Sequence, residues 1–183
     1  MNPLIDAVDF VLRTLLACAL YVALLRLLMQ WSRADFRNPI SQAVVQLTNP
    51  VIMPLRRILP PVGKIDTASV VTVVLIAVAK VAAAVYVVRS ELPPLTLWAR
   101  LAALEIVSSV LTTYYVAIIV YALLSFIAPG GYSPVQSLLT SLCEPILRPF
   151  RRLIPPIGNS LDLSPLWACI AIQVLLILLR YFE

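Results

Sequence analysis

The chain has 183 residues, of which 61% are hydrophobic and 13% are charged, with a formal net charge of +5. A soluble domain carries about 25% charged residues, so this composition cannot cover a water-facing surface and excludes an ordinary soluble protein. There is no histidine, and the three cysteines are scattered, which excludes histidine ligation, a C-x-x-C zinc site and a disulfide framework. We therefore predict an all-α integral membrane protein without metal or cofactor.

Four apolar segments are close to the length that crosses a bilayer, about 20 residues. They predict transmembrane helices at 7–30, 67–89, 99–128 and 164–181. Two proline-rich segments lie between them, at 39–59 and 134–154, and are predicted to be short amphipathic helices, either interfacial or re-entrant. The N-terminus has no basic region before its apolar run, which favours a retained helix over a cleaved signal peptide.

The two proline-rich segments contain an internal repeat. Asn49–Gly63 reads NPVIMPLRRILPPVG and Glu144–Gly158 reads EPILRPFRRLIPPIG, with seven of fifteen positions identical. We predict two repeats, 1–95 and 96–183, which run parallel about an axis along the membrane normal. The motif residues, including flanking matches, are Pro39, Pro50, Pro54, Pro60, Pro61, Gly63 and Asp66, and Pro134, Pro145, Pro149, Pro155, Pro156, Gly158 and Asp162.

The prolines predict where helices begin and end within each segment. Asn38 and Ser133 each precede a proline, which is typical of a helix N-cap. Pro50 and Pro145 are expected to end a first short helix and to begin a second one, capped by the residue before each proline. The double proline then ends the second helix.

The second helix of each segment is amphipathic. On a helical wheel its apolar side chains form one stripe, and its arginines fall outside that stripe. This predicts a helix that lies on the membrane surface, with its arginines at lipid phosphates. The alternative is a topology anchor, in which the basic residues only hold the loop on one side. The arginines concerned are Arg56, Arg57, Arg148, Arg151 and Arg152.

Basic residues also predict the orientation. Eight of the fourteen Lys and Arg residues lie in the two proline-rich loops. Because basic loops stay on the cytoplasmic side, we expect both loops in the cytoplasm and both termini on the outer side of the membrane.

Five of the charged residues in the predicted transmembrane helices are expected to lie at membrane depth. Arg26 lies near the inner end of the first helix, where its side chain is expected to snorkel to the surface. Asp9, Arg13, Lys80 and Glu105 lie at similar depth in the outer half and are expected to pair. Their role is either an ion-pair network that fixes helix packing or the mouth of an ion or proton path.

The stretch LLRLLMQWSRADFRNPISQ at Leu24–Gln42, followed by the string at Pro54–Asp66, resembles the YggT family of bacterial and plastid membrane proteins. The resemblance covers nearly the whole chain and matches the two-repeat bacterial form, which implies a bacterial inner membrane with both termini in the periplasm. It implies no established enzymatic activity, and relatives are associated with osmotic and potassium stress, with assembly in plastids and with division or nucleoid organisation. Tyr121 occupies the position of Arg26 in the second repeat, so the two halves would not be equivalent.

These features predict a non-enzymatic scaffold or assembly factor linked to stress tolerance. The alternative is an ion channel or a transport-associated protein in osmotic or potassium homeostasis. An enzyme is disfavoured because the sequence has no nucleophile-plus-base set and no glycine-rich phosphate loop. The expected partners are anionic phospholipid headgroups, other membrane proteins or further copies of the chain, and no nucleic acid.

Overall fold

The protein is a bundle of α-helices. The computed structural model describes residues 3–62, 66–88, 94–127, 133–153 and 162–182, with the side chains of 86–88 left out. Within these ranges the chain forms six α-helices and no β-strand, which confirms the all-α prediction. The helices are α1 (Pro3–Trp31), α2 (Pro39–Ile58), α3 (Thr67–Val88), α4 (Leu95–Ile127), α5 (Pro134–Leu153) and α6 (Ser164–Arg180).

Three helices, α1, α3 and α4, are long and apolar enough to cross a membrane. The apolar helix α6 has 17 residues, so the prediction of four transmembrane helices is supported for three of them and stays a prediction for the fourth. Only 17% of the most apolar window of α1, and of α4, is buried inside the protein. The apolar side chains that remain exposed, such as Phe10, Leu75 and Phe126, therefore face a medium that is itself apolar, the lipid.

The helices of the two halves pack in the same way. α1 packs against α3 as α4 packs against α6, and α2 contacts α1 and α3 as α5 contacts α4 and α6. The α1–α3 interface buries Leu20, Leu24 and Ala77, and Ile118 and Ala168 are buried between α4 and α6. The halves meet through α3 and α4, α1 and α4, and α2 and α5. The division at residues 95 and 96 stays a prediction.

The prediction that the prolines break each loop segment into two helices is wrong. α2 continues through Pro50 and Pro54, and α5 continues through the equivalent two prolines. An internal proline disfavours an isolated helix by about 3 kcal/mol, whereas burying one large apolar side chain contributes about 1.5–3 kcal/mol. Val44 and Ile52 are buried on either side of Pro50, so packing on both sides offsets the lost backbone hydrogen bond.

The predicted N-caps of α2 and α5 are confirmed. The Oδ1 atom of Asn38 accepts a hydrogen bond from the N–H of Ile40 at 2.9 Å, and the Oγ atom of Ser133 accepts one from the N–H of Gln136 at 3.1 Å. The side-chain amide of Asn38 also donates to the carbonyl of Pro134 at 2.6 Å. This bond joins the first turns of the two proline-containing helices, and so joins the two repeats.

The end of α2 also agrees with the motif. The helix ends at Ile58, just before Pro60 and Pro61, which cannot donate backbone hydrogen bonds. The carbonyl of Pro60 accepts a hydrogen bond from the hydroxyl of Thr67 at 2.8 Å, which brings the chain back to α3. Four motif residues lie outside the described residues: Gly63, Pro155, Pro156 and Gly158.

Replacing Asn38 tests the joint between the repeats. Asn38→Ala removes both the cap and the bond to Pro134, and we expect a loss of about 1–2 kcal/mol in the free energy of unfolding. Asn38→Ser keeps a cap of the kind that Ser133 provides and removes only the bond between repeats, so it should lose less. Thermal unfolding in detergent micelles measures both. If Asn38→Ser is as stable as the native protein, the bond between the repeats contributes nothing.

Candidate functional site

The end of α2 is joined to the start of α3 by an ion pair. The Nε atom of Arg56 donates to Asp66 Oδ2 at 3.1 Å, and a second guanidinium nitrogen donates to the same oxygen. Asp66 is 3% exposed and also accepts a hydrogen bond from the Ser69 hydroxyl at 2.6 Å. Because Asp66 immediately precedes α3, the positive end of the helix dipole stabilises its carboxylate further.

The charge state of Asp66 follows from these contacts. Burial alone would raise the pKa of Asp66, but the hydrogen bonds from Arg56 and Ser69 outweigh burial, so the pKa lies below its ordinary value. The hydrogen bond to Asp66 raises the pKa of Arg56. A carboxylate with a lowered pKa stabilises the folded state at neutral pH, and that stability is lost as the pH falls through the lowered value. The pair is therefore charged under physiological conditions.

Arg26 does not snorkel to the surface, so that prediction is wrong. It is 5% exposed, and its Nη1 atom donates to Thr48 Oγ1 at 2.6 Å, to Asn49 Oδ1 at 3.0 Å and to the carbonyl of Val45 at 3.3 Å. α2 therefore supplies polar acceptors that a snorkelling side chain would otherwise find in water. Asn49 was predicted to cap a helix; it lies within α2 and accepts from Arg26 instead.

The second repeat has a corresponding cluster with different residues. Arg151 Nε donates to Asp162 Oδ2 at 2.9 Å, as Arg56 does to Asp66 in the first repeat. Its Nη1 atom donates to Glu144 at 2.7 Å and its Nη2 atom donates to the Tyr121 hydroxyl at 3.1 Å. Glu144, predicted to be a cap, thus also lies inside its helix and binds an arginine.

Asp162 is charged for the same reason as its counterpart. Burial would raise the pKa of Asp162, but hydrogen bonds from Ser164 and Arg151 lower it below its ordinary value. At the start of α6, the Oδ1 atom of Asp162 accepts a hydrogen bond from the N–H of Ser164 at 2.9 Å. The Asp162 carboxylate therefore binds both the first residue of α6 and Arg151 near the end of α5.

Equivalent positions in the two clusters carry opposite net charge. The first cluster contains two arginines and one aspartate, Arg26, Arg56 and Asp66. The second contains one arginine with an aspartate and a glutamate, because Tyr121 stands in place of Arg26 and Glu144 in place of Asn49. The formal charge is +1 in the first cluster and −1 in the second, so the repeats are alike in backbone and unlike in electrostatics.

The remaining arginines of the motif are exposed. Arg57, Arg148 and Arg152 point away from the helix core and make no hydrogen bond or ion pair within the residues that the structure describes. In each Arg-Arg pair, one arginine therefore binds the aspartate of its own repeat, and its neighbour is left accessible. Their proposed contact with lipid phosphates stays a prediction.

The four outer charges form two ion pairs, as predicted. Lys80 Nζ lies 2.6 Å from Glu105 Oε1, and Arg13 lies 2.7 Å from Asp9. Glu105 also accepts a hydrogen bond from the Ser109 hydroxyl at 3.0 Å. The Lys80–Glu105 pair connects α3 to α4, whereas the Asp9–Arg13 pair lies within α1, all of them helices proposed to span the membrane.

A small cavity of about 270 Å³ lies beside these ion pairs, lined in part by Arg13, Lys80 and Glu105. Arg13 donates to the carbonyl of Ala83 at 3.4 Å, so the first helix reaches the third across this space. Within the described ranges, no three His, Cys, Asp or Glu side chains lie close enough together to hold a metal ion.

Reasoning from sequence missed the contacts of Arg26 with Thr48 and Asn49, and the contact of Arg151 with Tyr121. A signal for them exists in the alignment of the repeats. The second repeat has Tyr121 at the position of Arg26 and Glu144 at the position of Asn49. Both positions differ between the repeats, as expected of residues that share one cluster.

The fold and these clusters define a class: a helical membrane protein with two repeats, each having a proline-containing helix bound through an arginine to an aspartate. The profile of the CCB3/YggT family matches residues 5–87 and 101–182, one match in each half. The chain therefore belongs to the CCB3/YggT family.

Several relatives are similar over most of their length. An uncharacterized protein of Pseudomonas aeruginosa is 39% identical over 179 residues, which cover 96% of this chain and 89% of the relative. The uncharacterized protein YggT of Escherichia coli K12 is 36% identical over 170 residues, covering 93% and 87% of the two chains. A Vibrio alginolyticus relative is 35% identical over 169 residues, covering 92% and 90%. No solved structure is significantly similar to the chain.

Exchanging cluster residues between the repeats tests the Arg26 network. Arg26→Tyr alone leaves buried acceptors on Thr48 and Asn49 unpaired, and we expect it to lower the free energy of unfolding by about 1–3 kcal/mol. Adding Asn49→Glu recreates the second cluster in the first repeat, with Arg56 as the cation, and should recover at least half of the loss. Thermal unfolding of both single variants and the double variant measures the effect. A double variant that is no more stable than Arg26→Tyr contradicts the network.

Charge reversal tests the outer ion pair. Lys80→Glu places two carboxylates together inside the bundle and should reduce the folded yield in membranes, because a charge at this depth costs at least about 2.5–3.5 kcal/mol. Adding Glu105→Lys restores opposite charges and should restore part of the yield. Fluorescence-detected size exclusion of solubilised membranes compares the variants at equal expression. Failure of the second substitution to rescue the first would exclude a stabilising pair.

Proposed function

We propose that the protein is a non-enzymatic scaffold or assembly factor of the bacterial inner membrane, linked to stress tolerance. In this proposal α2 and α5 lie at the cytoplasmic side and present basic side chains to acidic regions of other membrane proteins and to anionic lipid headgroups. The residues that make these contacts are Arg57, Arg148 and Arg152.

The observation that carries the proposal is the different use of adjacent arginines. Arg56 and Arg151 are bound to the aspartates at the starts of α3 and α6, so they orient the helices. The neighbouring Arg57 and Arg152 are exposed and make no hydrogen bond or ion pair in the part of the chain that the structure describes. A rigid helix with accessible guanidinium groups is suited to binding carboxylates and phosphates.

The orientation rests on the distribution of basic residues. Eight of the fourteen Lys and Arg residues lie in the two loops that contain α2 and α5, which supports a cytoplasmic position for both. Each arginine near an anionic surface contributes about 1 kcal/mol of attraction, so three together provide a substantial bias toward acidic partners.

A second candidate is a channel or transport-associated protein in osmotic or potassium homeostasis. The cavity beside Arg13, Lys80 and Glu105 favours it, because charged groups near a cavity in a membrane helix bundle are typical of ion paths. Against it, both cations are already paired with carboxylates, which favours a structural network. The scaffold is therefore the better supported of the two.

Neither the sequence nor the ion pairs offer support for a catalytic function. The sequence has no histidine, and its relatives are described only as uncharacterized proteins. In the five ion pairs among the described residues, each carboxylate lies against an arginine or a lysine, an arrangement that supplies no nucleophile with an adjacent base.

The experiment compares two sets of arginine variants in native membranes. We expect the triple variant Arg57→Gln, Arg148→Gln, Arg152→Gln to lose most proteins that cross-link to and co-purify with the native chain. Its free energy of unfolding should stay within about 0.5 kcal/mol of the native value, because these exposed side chains make no hydrogen bond or ion pair with any residue that the structure describes. The control is Arg100→Gln with Arg180→Gln, which removes charges near the other ends of the helices and should keep the partners.

Two results contradict the scaffold proposal. One is recovery of the same partners by the triple variant. The other is flux of potassium ions or protons through liposomes that contain the purified protein, abolished by Lys80→Ala, which would favour the channel.

A further inference from the structure

A groove of about 580 Å³ lies between the two repeats. Four pairs of its lining residues are separated by 95 positions, the spacing of the internal repeat, so the groove lies on the approximate two-fold axis that relates the halves. The pairs are Tyr21 and Val116, Val22 and Ala117, Leu25 and Val120, and Ile40 and Val135. The groove is therefore a consequence of how the repeats meet.

The walls of the groove are apolar. Besides the paired positions they include Leu138, Leu139 and Leu142 of α5. The hydroxyls of Thr112 and Thr113 also line it, but they donate to the carbonyls of Ser108 and Ser109 at 2.8 and 2.7 Å. Because these hydroxyls are already bonded, the groove is suited to an alkyl chain and poorly suited to an ion or a polar solute.

The position of the groove indicates the source of that alkyl chain. Two of its walls belong to α1 and α4, which are both apolar enough to span a membrane. Along α4 it extends from Thr112 to Val120, about 12 Å by the rise of an α-helix. The medium beside such a groove is hydrocarbon, so a lipid tail can enter it without crossing water.

The segment that precedes one end of the groove carries a net positive charge. Ile40 and Val135 lie in the first turns of α2 and α5, where the bond from Asn38 to Pro134 joins the two helix starts. Just before α2, Arg33 and Arg37 are exposed, and their side chains make no hydrogen bond or ion pair within the described ranges. Asp35 lies between them and accepts a hydrogen bond from the backbone N–H of Arg37 at 2.8 Å, so the net charge of the three residues is +1. The positive ends of two helix dipoles meet there as well. The charge at this end is therefore suited to a phosphate.

The basic end belongs to one repeat only. The sequence from Ala128 to Ser133, which corresponds to the segment of Arg33 and Arg37, contains no Lys or Arg. Arg33 has a φ of 53°, in the left-handed region that costs a non-glycine residue about 1–2 kcal/mol. A left-handed backbone favours glycine, so the backbone conformation gives no reason for an arginine at this position.

We propose that the groove binds one acyl chain of an anionic phospholipid, with the lipid phosphate at Arg33 and Arg37. The bound lipid fills the space between the repeats and completes their interface. This site is separate from Arg57, Arg148 and Arg152, so it does not depend on the proposed scaffold function.

The test is photo-cross-linking in reconstituted vesicles. The purified protein is placed in vesicles of phosphatidylcholine with a small fraction of phosphatidylglycerol that carries a diazirine on one acyl chain. We expect labelled peptides to concentrate on the 112–120 and 138–142 segments. Val116→Trp fills the groove from a half-exposed position and should reduce this labelling several-fold. Val107→Trp is the matched control, since Val107 is also exposed on α4 but does not line the groove.

The headgroup is tested with a second pair of variants. Arg33→Gln with Arg37→Gln should reduce the labelling by the phosphatidylglycerol probe roughly tenfold or more, and should leave labelling by a phosphatidylcholine probe unchanged. Arg180→Gln is the control, because it removes a positive charge that does not lie beside the groove, and it should leave the labelling by both probes unchanged.

Three results would overturn the proposal. Labelling spread evenly over the lipid-facing residues would show general contact with the bilayer. Labelling unchanged by Val116→Trp, and equally unchanged by Val135→Trp, would place the lipid elsewhere. Cross-links between two chains at the groove, in place of lipid labelling, would show that a second copy of the protein occupies it. If Val116→Trp does not fold, Val135→Trp and the labelling pattern of the native protein decide between these outcomes.

Discussion

The ion pair between an arginine of each proline-containing helix and an aspartate at the start of the next helix is the interaction on which the rest of the structure depends. Arg56 binds Asp66, and Arg151 binds Asp162. Each pair closes the corner between a helix that carries two internal prolines and the apolar helix that follows. Without it, the end of a helix weakened by prolines would lose its ionic link to the next helix, and the accessible arginine beside it would be held less firmly in position.

The same backbone arrangement carries different charges in its two copies. In the first repeat a buried Arg26 adds a cation, whereas in the second Glu144 adds an anion and Tyr121 supplies a neutral hydroxyl. Removing a buried cation and adding an anion at neighbouring positions keeps each cluster hydrogen-bonded while the net charge changes sign. The repeats can therefore share a fold and still differ in what they bind, as the basic end of the groove in one repeat also indicates.

Local signals in the sequence were sufficient for the caps at Asn38 and Ser133 and for the pairing of Lys80 with Glu105, because each depends on nearby residues or on helical depth. They failed for the continuity of α2 and α5, because the local effect of Pro50 is unfavourable and the compensating burial comes from other helices. They failed for Arg26 for the same reason, since its acceptors lie about twenty residues away on α2. The groove between the repeats requires the packing of four helices and has no local signal at all.

The most direct test of the central ion pairs is a double-mutant cycle in each repeat, using Arg56→Gln with Asp66→Asn and Arg151→Gln with Asp162→Asn. Thermal unfolding at neutral pH gives the coupling free energy. We predict coupling of about 0.5–3 kcal/mol in both repeats, as for residues in direct contact, and a decrease as the pH falls through the lowered pKa values of the aspartates. Additive effects of the two substitutions in either repeat would contradict the account.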